Sequence, residues 1–395
     1  MSTRKISNVY KLMTVSSTKQ QELISLYKDC LSFNGCKSRG KIDDPQLKSV
    51  NLPQAESEFY PPLFYRSEKH RSGSRMGIIH IREAYYALFS SLSQLGISIN
   101  SVNNDLADVV FNWSYKVHLG SDKARIYLEH GWLPRSSFQI SSMGTNARSH
   151  VANEFHARKQ SELRKDDLLH STSNLKSLFS LSVRQEKVKQ IKERIKSPFI
   201  LFAFQLANDA NLKYSNSDFS KYFSIEQAGS IKFAQACIDC LSSYSMPLPV
   251  IYKQHPVDRN NIHLCNKKAD DIFFDNSCDY TTHEIFSSGL CKLVITVNSN
   301  TLHEASIWGV PGIALGTMIW NEAKQNRPYS NNLNDIESII DSKQNDDNLL
   351  LYIQHLLENQ WSTSDLQNPL IVKELLDNKA CCNPFKLRSK YKIEL

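Results

Sequence analysis

The segment that decides the fold is KLVITVNSNTLHEASIWGVPGIALG, residues 292–316. Its first part, 292–298, is an apolar run of strand length, and the polar stretch Asn298-Ser-Asn-Thr301 follows directly. The next residues have the pattern of a short helix, and a second apolar run begins after Gly309-Val-Pro. Strand, polar turn, helix and strand in this order are typical of a parallel sheet with helices packed on its faces.

The same alternation extends along the rest of the chain. Further strands are predicted at residues 76–81, 108–113, 124–129, 198–206, 247–253 and 312–315, and helices at 82–95, 225–244 and 346–359. We therefore predict an α/β protein with two Rossmann-like domains that face a central cleft. The predicted parts are an N-terminal extension, two domains and a helical, basic tail, at residues 1–70, 71–190, 191–360 and 361–395.

The composition fits two domains and excludes several classes of protein. The chain has 395 residues, of which 41% are apolar, and single cores rarely grow beyond about 250–300 residues. Its 47 basic and 40 acidic side chains leave a net charge of +7, which favours anionic partners mildly. Because no basic–aromatic pattern accompanies that charge, we expect no nucleic-acid partner. Without a long apolar run or a visible secretion signal, the chain is predicted to be cytoplasmic.

Glycine and cysteine usage narrow the chemistry further. The sequence has 13 glycines and neither G-x-G-x-x-G nor G-x-x-x-x-G-K-[ST], which argues against ordinary dinucleotide-binding and Walker-type proteins. Cys237 and Cys240 form a C-x-x-C, a spacing found in zinc sites and redox dithiols. Because the motif lies in a predicted helix and no second pair follows, we interpret both residues as reduced core cysteines.

Two basic stretches bear on membrane contact. Residues 183–196 form a predicted amphipathic helix with lysines along one side. One interpretation is a helix that lies on a membrane surface, and the other, which we favour, is a solvated connector. Residues 386–392 are also basic, and each basic side chain of either stretch would be attracted to anionic headgroups by about 1 kcal/mol.

Candidate functional residues follow four of the predicted strands, where parallel sheets bind their ligands. Glu129, in the motif Glu-His-Gly, ends the strand 124–129, and a carboxylate on a tight turn can act as a general acid or base. The apolar run of the strand 198–206 ends at Phe204, and Gln205-Leu-Ala-Asn-Asp209 follows it, where Asp209 would be a nucleophile or base. Taken alone, the two acids are more simply a solvated turn residue and a helix N-cap.

The third strand end is Lys253-Gln-His255-Pro256. A proline fixes its own backbone and restricts the residue before it. The imidazole of His255 can therefore be held in one direction, towards a phosphate or a carboxylate. A plain loop histidine is the other interpretation.

The fourth strand end is the polar stretch in the segment quoted first. Asn298, Ser299, Asn300 and Thr301 precede or begin a helix, and backbone N–H groups at a helix start favour anions. Simple capping by Ser299 or Asn300 explains the same residues. Glu304, on the first turn, could accept hydrogen bonds from ribose hydroxyls.

In this order, the motifs E-x-G, Q-x-x-x-D, K-x-H-P and S-N-T with a following G-x-P resemble those of bacterial GT-B glycosyltransferases that use CMP-activated 2-keto sugar acids. The resemblance is to the retaining β-Kdo transferases of capsule and lipopolysaccharide assembly, and more distantly to bacterial sialyltransferases. It covers roughly residues 76–320. The sialyltransferase motif carries two acids before its glycine, whereas this chain has Glu129 and His130, which weakens that part of the resemblance.

The resemblance implies a role for each matched residue. Glu129, in the acceptor domain 71–190, would be the acid/base that acts on the acceptor hydroxyl. Asp209 would be the nucleophile of a double displacement that retains the anomeric configuration, and His255 would contact the CMP phosphate or the donor carboxylate. Glu304 would bind the ribose, and the helix start would bind the phosphate. The donor-binding residues implied in this way are Gln205, Lys253, Pro256, Asn298, Ser299, Asn300, Thr301 and Glu304.

The resemblance also implies the partners of the reaction. They are a CMP-linked sugar acid as the donor and a glycan or glycolipid as the acceptor, with transient contact at the cytoplasmic membrane face. We expect no cofactor and no metal, since the sequence lacks a D-x-D motif and the donor carries little charge. Three alternatives stay open: a CMP-sialic acid sialyltransferase, a CDP-glycerol-type polyol phosphotransferase, which also has an H-P element, and a non-catalytic relative.

Overall fold

The computed structural model describes residues 49–51, 87–88, 90–92, 94–100, 109–113, 124–134, 137–206, 209, 212, 230–256, 258, 268–320, 328–341, 346–378 and 380–392. The chain divides into two compact units. The first comprises residues 1–131, 135–145 and 358–395, and the second comprises 132–134 and 146–357. The predicted strand at 76–81 lies outside the described residues.

Strands and helices alternate through most of the described chain. The strands are β1 (Ser49–Asn51), β2 (Ser98–Asn100), β3 (Val109–Trp113), β4 (Ala124–His130), β5 (Phe138–Ser141), β6 (Phe199–Ala203), β7 (Val250–Lys253), β8 (Ile272–Phe274), β9 (Cys291–Thr296) and β10 (Gly312–Ala314). The helices are α1 (His150–His156), α2 (Lys165–Ser180), α3 (Gln185–Ile195), α4 (Ser230–Ser242), α5 (Thr282–Ser287), α6 (Thr301–Ile307), α7 (Ile336–Asp341), α8 (Asp346–Asn359), α9 (Thr363–Gln367), α10 (Pro369–Asp377) and α11 (Pro384–Tyr391). Residues 87–88, 90–92 and 94 are also helical.

The first unit contains a five-stranded sheet in the order β2-β1-β3-β4-β5. Strands β1 to β4 are parallel, and β5 is antiparallel to β4. Strand β1 lies between β2 and β3, so the prediction that 1–70 is an extension outside the domains is wrong at Ser49–Asn51. Sequence inspection missed this strand because it is only three residues long.

The C-terminal helices α9 to α11 complete the core of this first unit. Leu366, Ile371 and Leu375 are buried in one cluster with Phe111 of β3 and Leu128 of β4. The predicted separate tail at 361–395 is therefore part of the first unit. The physical reason is that these short helices each present an apolar side, which is stable only when it is covered.

The second unit contains a sheet in the order β10-β9-β6-β7-β8, with every adjacent pair parallel. Along β6, Phe199 and Leu201 belong to one apolar cluster, and Ile200 and Phe202 belong to another. Because strand side chains alternate between faces, the sheet is covered on both sides, as parallel sheets require. The α/β class and the Rossmann-like strand order are confirmed, while the predicted central cleft stays a prediction.

The second unit begins earlier than the predicted boundary at residue 191. Helices α1 to α3 bury Phe155, Leu175 and Ile191 in the same cluster as Leu201 of β6. These helices therefore cover one face of the second sheet. The apolar side of α3 is occupied by this packing, so it is neither a connector between domains nor available to enter a membrane surface.

The C-x-x-C lies in α4, as predicted, and both of its cysteines are free thiols. Cys237 is fully buried in the apolar cluster that includes Ile200. Burial raises the pKa of the Cys237 thiol well above its ordinary value and that of Cys240 to about 11. The interpretation as a core cysteine therefore holds for Cys237, whereas Cys240 is only partly buried at the edge of the same cluster.

Two side chains of the basic stretch 386–392 form ion pairs inside the first unit. Arg388 is buried against Asp365, with Nη2 donating to Oδ2 at 2.6 Å, and Lys390 pairs with Glu374. Two of its basic side chains are therefore neutralised within the unit. No helix of the described part of the chain is both long and apolar enough to cross a bilayer.

Candidate functional site in the second sheet

The candidate site lies at the carboxyl ends of β6 and β9. Chain order runs outward from β6 through β7 to β8 on one side, and through β9 to β10 on the other. The adjacent pair β6 and β9 is thus the point where strand order reverses, and open α/β sheets bind ligands in the crevice at this point. Gln205 follows β6 and Asn298 follows β9, so two predicted site residues mark it.

Gln205 and Asn298 hold the two strand ends together. The Gln205 Nε2 donates to Asn298 Oδ1 at 2.8 Å, and its Oε1 accepts from the Asn298 backbone N–H at 2.8 Å. Both side chains are buried, at 4% and 6% exposure. The geometry makes Gln205 a brace for Asn298 and for the turn that follows it.

The start of α6 is capped by its own sequence. The Ser299 hydroxyl accepts from the Thr301 N–H at 3.2 Å and donates to the Thr301 Oγ1 at 3.1 Å. Asn300 occupies the N-cap position and makes no side-chain capping bond. Capping by Ser299, one of the two interpretations of this stretch, is thus what the structure shows, and anion binding there stays a prediction.

Two glycines allow the turn at Asn298 to sit close to β10. A Cβ on Gly312 would overlap the Leu302 side chain and lie 3.2 Å from the Val294 carbonyl oxygen. A Cβ on Gly316 would lie 2.8 Å from a Val297 methyl group. Gly312, directly after the G-x-P motif, therefore marks the place where Leu302 of α6 packs tightly on β10, and Gly316 marks a close approach of the chain to Val297.

Lys253 is a buried ammonium at the end of β7, the strand beside β6. Its side chain is 7% exposed. Among the described residues, its Nζ has one hydrogen-bond contact, with the Gln254 carbonyl oxygen at 3.4 Å. Burial lowers the pKa of Lys253 to about 8, because removing an ammonium from water disfavours its charged form. An ammonium has three N–H donors, and this one makes a single long contact. It is therefore well suited to bind an anion.

Asn276, which the sequence did not indicate as a site residue, holds the loop after Lys253 in place. The His255 carbonyl accepts from the Asp258 N–H at 2.9 Å and from the Asn276 Nδ2 at 3.1 Å. The Asn276 N–H also donates to the Gln254 Oε1 at 3.3 Å. The backbone of His255 is therefore held from the β8 side, while its imidazole is partly exposed and the following Pro256 is exposed.

Glu304 of α6 meets the first residues of α5. The Thr282 hydroxyl donates to its Oε2 at 3.2 Å, and the Nε2 of His283 lies 4.0 Å from the same oxygen. Sequence inspection missed Thr282 and His283, because the only signal was the Thr-Thr-His-Glu start of a short helix. Glu284 in that start is fully buried and is paired by Arg184, with Nε donating to Oε1 at 2.6 Å.

Asp209 belongs to the second unit, four residues beyond Gln205. Its N–H donates to the Leu206 carbonyl at 2.9 Å, so the chain turns directly after the strand end, and the side chain is partly exposed. Its catalytic role stays a prediction. The second unit thus gathers the predicted site residues of β6, β7 and β9, whereas Glu129 belongs to the first unit.

Glu129 is the penultimate residue of β4 and lies opposite Gln139 of β5. Its Oε1 accepts from the His130 N–H at 2.9 Å, and Gly131 donates its N–H to the Ser137 carbonyl at 2.6 Å. A Cβ on Gly131 would lie 2.7 Å from the Ser137 backbone carbonyl carbon. The glycine of E-x-G is therefore required by the close return of the chain towards β5.

We expect Gly131→Ala to destabilise the first unit by about 1–3 kcal/mol, the usual cost of overpacking. The added methyl must move backbone and would shift Glu129, so any activity that depends on this carboxylate should fall with it. Thermal unfolding, with Ser142→Ala in the β5 region as the control, measures the effect. A Gly131→Ala variant as stable as the wild type would contradict this prediction, because it would show that the loop can move away from the added methyl group at no cost in stability.

Within the described residues, no group of three or more His, Cys, Asp or Glu side chains is arranged to hold a metal ion. The predicted absence of a metal requirement stays a prediction. Among the described residues, the polar groups at this sheet edge include amides, hydroxyls, the buried Lys253 ammonium, the His255 imidazole and the partly buried carboxylates of Asp209 and Glu304.

Comparison with known proteins gives structural similarities only. No protein-family model matches the chain, and no curated protein matches it. Among solved structures, it is similar to Thermosulfurimonas dismutans KpsC, beta Kdo 2,7 transferase, at 14% identity and a TM-score of 0.43, over 83% of this chain and 99% of that one. It is similar to Thermosulfurimonas dismutans KpsC, beta Kdo 2,4 transferase, at 13% identity and a TM-score of 0.35, over 57% and 74%. Its similarity to the wall teichoic acid polymerase TagF is 10% identity with a TM-score of 0.29, over 94% and 97%.

Proposed function

We propose that this chain is a glycosyltransferase that moves Kdo, or a related 2-keto sugar acid, from CMP to a glycan or glycolipid acceptor. The observation that carries the proposal is the buried Lys253 ammonium at the carboxyl edge of the second sheet, one strand from the reversal point. The order of the four sequence motifs supports the choice of donor.

The charge of the site favours a singly charged phosphate. A CMP-linked sugar acid has one phosphodiester charge and one carboxylate. Lys253 ends β7, and His255 lies two residues beyond it. A single desolvated ammonium binds such a group strongly, because hydrogen bonds to charged groups contribute about 1.5–3 kcal/mol. We assign Lys253 to the donor phosphate and His255 to the phosphate or the sugar carboxylate.

The reaction proposed is a double displacement. The Asp209 carboxylate attacks the anomeric carbon, the bond to the CMP oxygen breaks, and CMP leaves with that electron pair. Glu129 then takes the proton of the acceptor hydroxyl, whose oxygen attacks the same carbon and releases Asp209. Two inversions at one carbon leave its configuration retained.

We expect Asp209→Ala to reduce transfer from CMP-Kdo by about 10³-fold or more, because it removes the group that would bond to the sugar. Incubation with CMP-Kdo and lipid-linked or free glycan acceptors, followed by mass spectrometry of the products, measures it. Asp239→Ala, which changes an exposed acid on α4, is the matched control. Full transfer by Asp209→Ala would exclude this residue as the nucleophile.

Ligand-induced stabilisation separates this proposal from related functions. A ligand that binds only the folded state raises its melting temperature, so we expect a larger shift with CMP than with CDP or UDP. A preference for CDP would favour a polyol phosphotransferase, and transfer from CMP-sialic acid in place of CMP-Kdo would favour a sialyltransferase. Absence of any shift would favour a non-catalytic relative.

We place the enzyme at the cytoplasmic membrane face, where a lipid-linked acceptor would be. The exposed lysines 189, 192 and 196 on and after α3 could attract anionic headgroups. Flotation with vesicles of phosphatidylcholine, with and without phosphatidylglycerol, tests this location. Binding that is independent of the anionic lipid would remove the electrostatic part of the proposal.

A further inference from the structure

Two residues of α5 control the direction in which Glu304 presents its carboxylate. The Thr282 hydroxyl donates to Glu304 Oε2 at 3.2 Å, and His283 Nε2 lies 4.0 Å from that same oxygen. Among the residues that the structure describes, none donates a hydrogen bond to Oε1. One oxygen of the carboxylate is thus held, and the other is left for a ligand.

The ring of His283 is fixed by its neighbours. The Trp308 Nε1 donates to His283 Nδ1 at 3.2 Å. Because an indole N–H can only donate, Nδ1 must accept, and in the neutral imidazole the proton then lies on Nε2, the atom that faces Glu304. Phe179 of α2 stacks on the ring, with centroids 4.4 Å apart and planes at 23°.

The start of α5 is held by a capping box and by an ion pair with Arg184. The Thr281 hydroxyl accepts from the Glu284 N–H at 3.2 Å, and Glu284 Oε2 accepts from the Thr281 N–H at 2.8 Å. Arg184 holds the buried Glu284. Since the helix start is locked by this capping box and ion pair, Thr282 and His283 are presented to Glu304 in one arrangement.

We infer that Thr282 and His283 are positioning residues that aim Glu304 Oε1 at a vicinal diol, and so make the site select ribonucleotides over deoxyribonucleotides. This inference rests on the proposed binding of a nucleotide at the second sheet. A carboxylate that accepts a hydrogen bond from the ribose 2′-hydroxyl loses that bond when 2′-deoxyribose is bound. A site built to hydrogen-bond a hydroxyl discriminates strongly against a ligand that lacks it.

The test compares CMP with 2′-deoxy-CMP by calorimetry. We expect the wild type to prefer CMP by about tenfold or more, the factor that corresponds to 1.4 kcal/mol. Glu304→Gln should reduce this preference, and so should Thr282→Val, which keeps the side-chain shape but removes the hydroxyl. Thr282→Ser should restore it, because the donor returns. His283→Phe, which keeps the stacking on Phe179, should also reduce the preference.

The outcomes separate the inference from the proposed function. Thr172→Val is the matched control, since its hydroxyl donates to the Leu169 carbonyl of its own helix and to no other group in the described part of the chain, and it should leave the preference unchanged. If Glu304→Gln removes the preference while Thr282→Val and His283→Phe keep it, the inference is overturned and nucleotide binding stands. If neither nucleotide binds the wild type, the proposed function fails. A general loss of affinity without a change in the CMP to 2′-deoxy-CMP ratio would indicate a structural role only.

Discussion

Lys253→Met should make the protein more stable and its binding of CMP weaker. Stability should rise because burial has lowered the pKa of this ammonium from 10.5 to about 8, and lowering a pKa by one corresponds to about 1.4 kcal/mol. The buried charge therefore costs about 3 kcal/mol, which methionine removes at similar volume. The affinity for CMP should fall by about 10- to 150-fold, since the variant loses a hydrogen bond to a charged group.

The lowered pKa of Lys253 also predicts how stability depends on pH. Below pH 8 the lysine is protonated in both the folded and the unfolded chain, so the cost of burial is fully present. Between pH 8 and 10.5 the folded protein has lost a proton that the unfolded chain keeps, so the stability of the wild type rises with pH. The stability advantage of Lys253→Met should therefore shrink across this window, and the wild type should bind CMP less tightly above pH 8.

Lys292→Met is the matched control for this experiment. Lys292 lies on the neighbouring strand β9 and is exposed, so its substitution should change stability by less than about 0.5 kcal/mol and leave CMP binding intact. Urea unfolding between pH 7 and 10.5 and calorimetry with CMP supply both measurements. If Lys253→Met binds CMP as tightly as the wild type, this lysine does not contact the donor. If Lys253→Met is less stable than the wild type, burial of the ammonium does not cost stability.

Arg388→Ala should destabilise the first unit by about 3–5 kcal/mol, the cost of leaving a buried charge without its partner. Its guanidinium donates from Nε to Asp365 Oδ1 at 2.9 Å and from Nη2 to Oδ2 at 2.6 Å. The Nη2 also donates to the Gln360 carbonyl at 2.8 Å. Asp365 is fully buried, so its carboxylate would be left buried without this counter-charge. Thermal and urea unfolding measure the loss.

Lys386→Ala, on an exposed position of the same helix, should stay within about 0.5 kcal/mol of the wild type. The double variant Arg388→Ala with Asp365→Asn should be more stable than Arg388→Ala alone, because no charge is then left buried. Such non-additivity is expected of residues that form one buried pair. A loss below about 1 kcal/mol in Arg388→Ala would show that the pair does not hold the C-terminal helices in place.

Much of the second unit could be predicted from local pattern. The apolar runs at β6, β7 and β9 are long enough to be recognised, and polar residues directly after them, such as Gln205 and Asn298, could be assigned to the carboxyl edge without coordinates. Short elements could not be recognised in this way. Strand β8 and helix α5 are three and six residues long, so neither shows a full period of its pattern, and Asn276, Thr282 and His283 were missed with them.

The sequence by itself determined the alternation of strands and helices in the second half and the chain order of the polar motifs, because each depends on residues close together in the chain. Only the tertiary structure decided which strands are neighbours. That choice buries Lys253, pairs Gln205 with Asn298, and brings Thr282 to Glu304. It also draws the basic C-terminal stretch into the first unit through Arg388. Burial and long-range pairing set these roles, and both are properties of the packed sheets and helices rather than of any local run of residues.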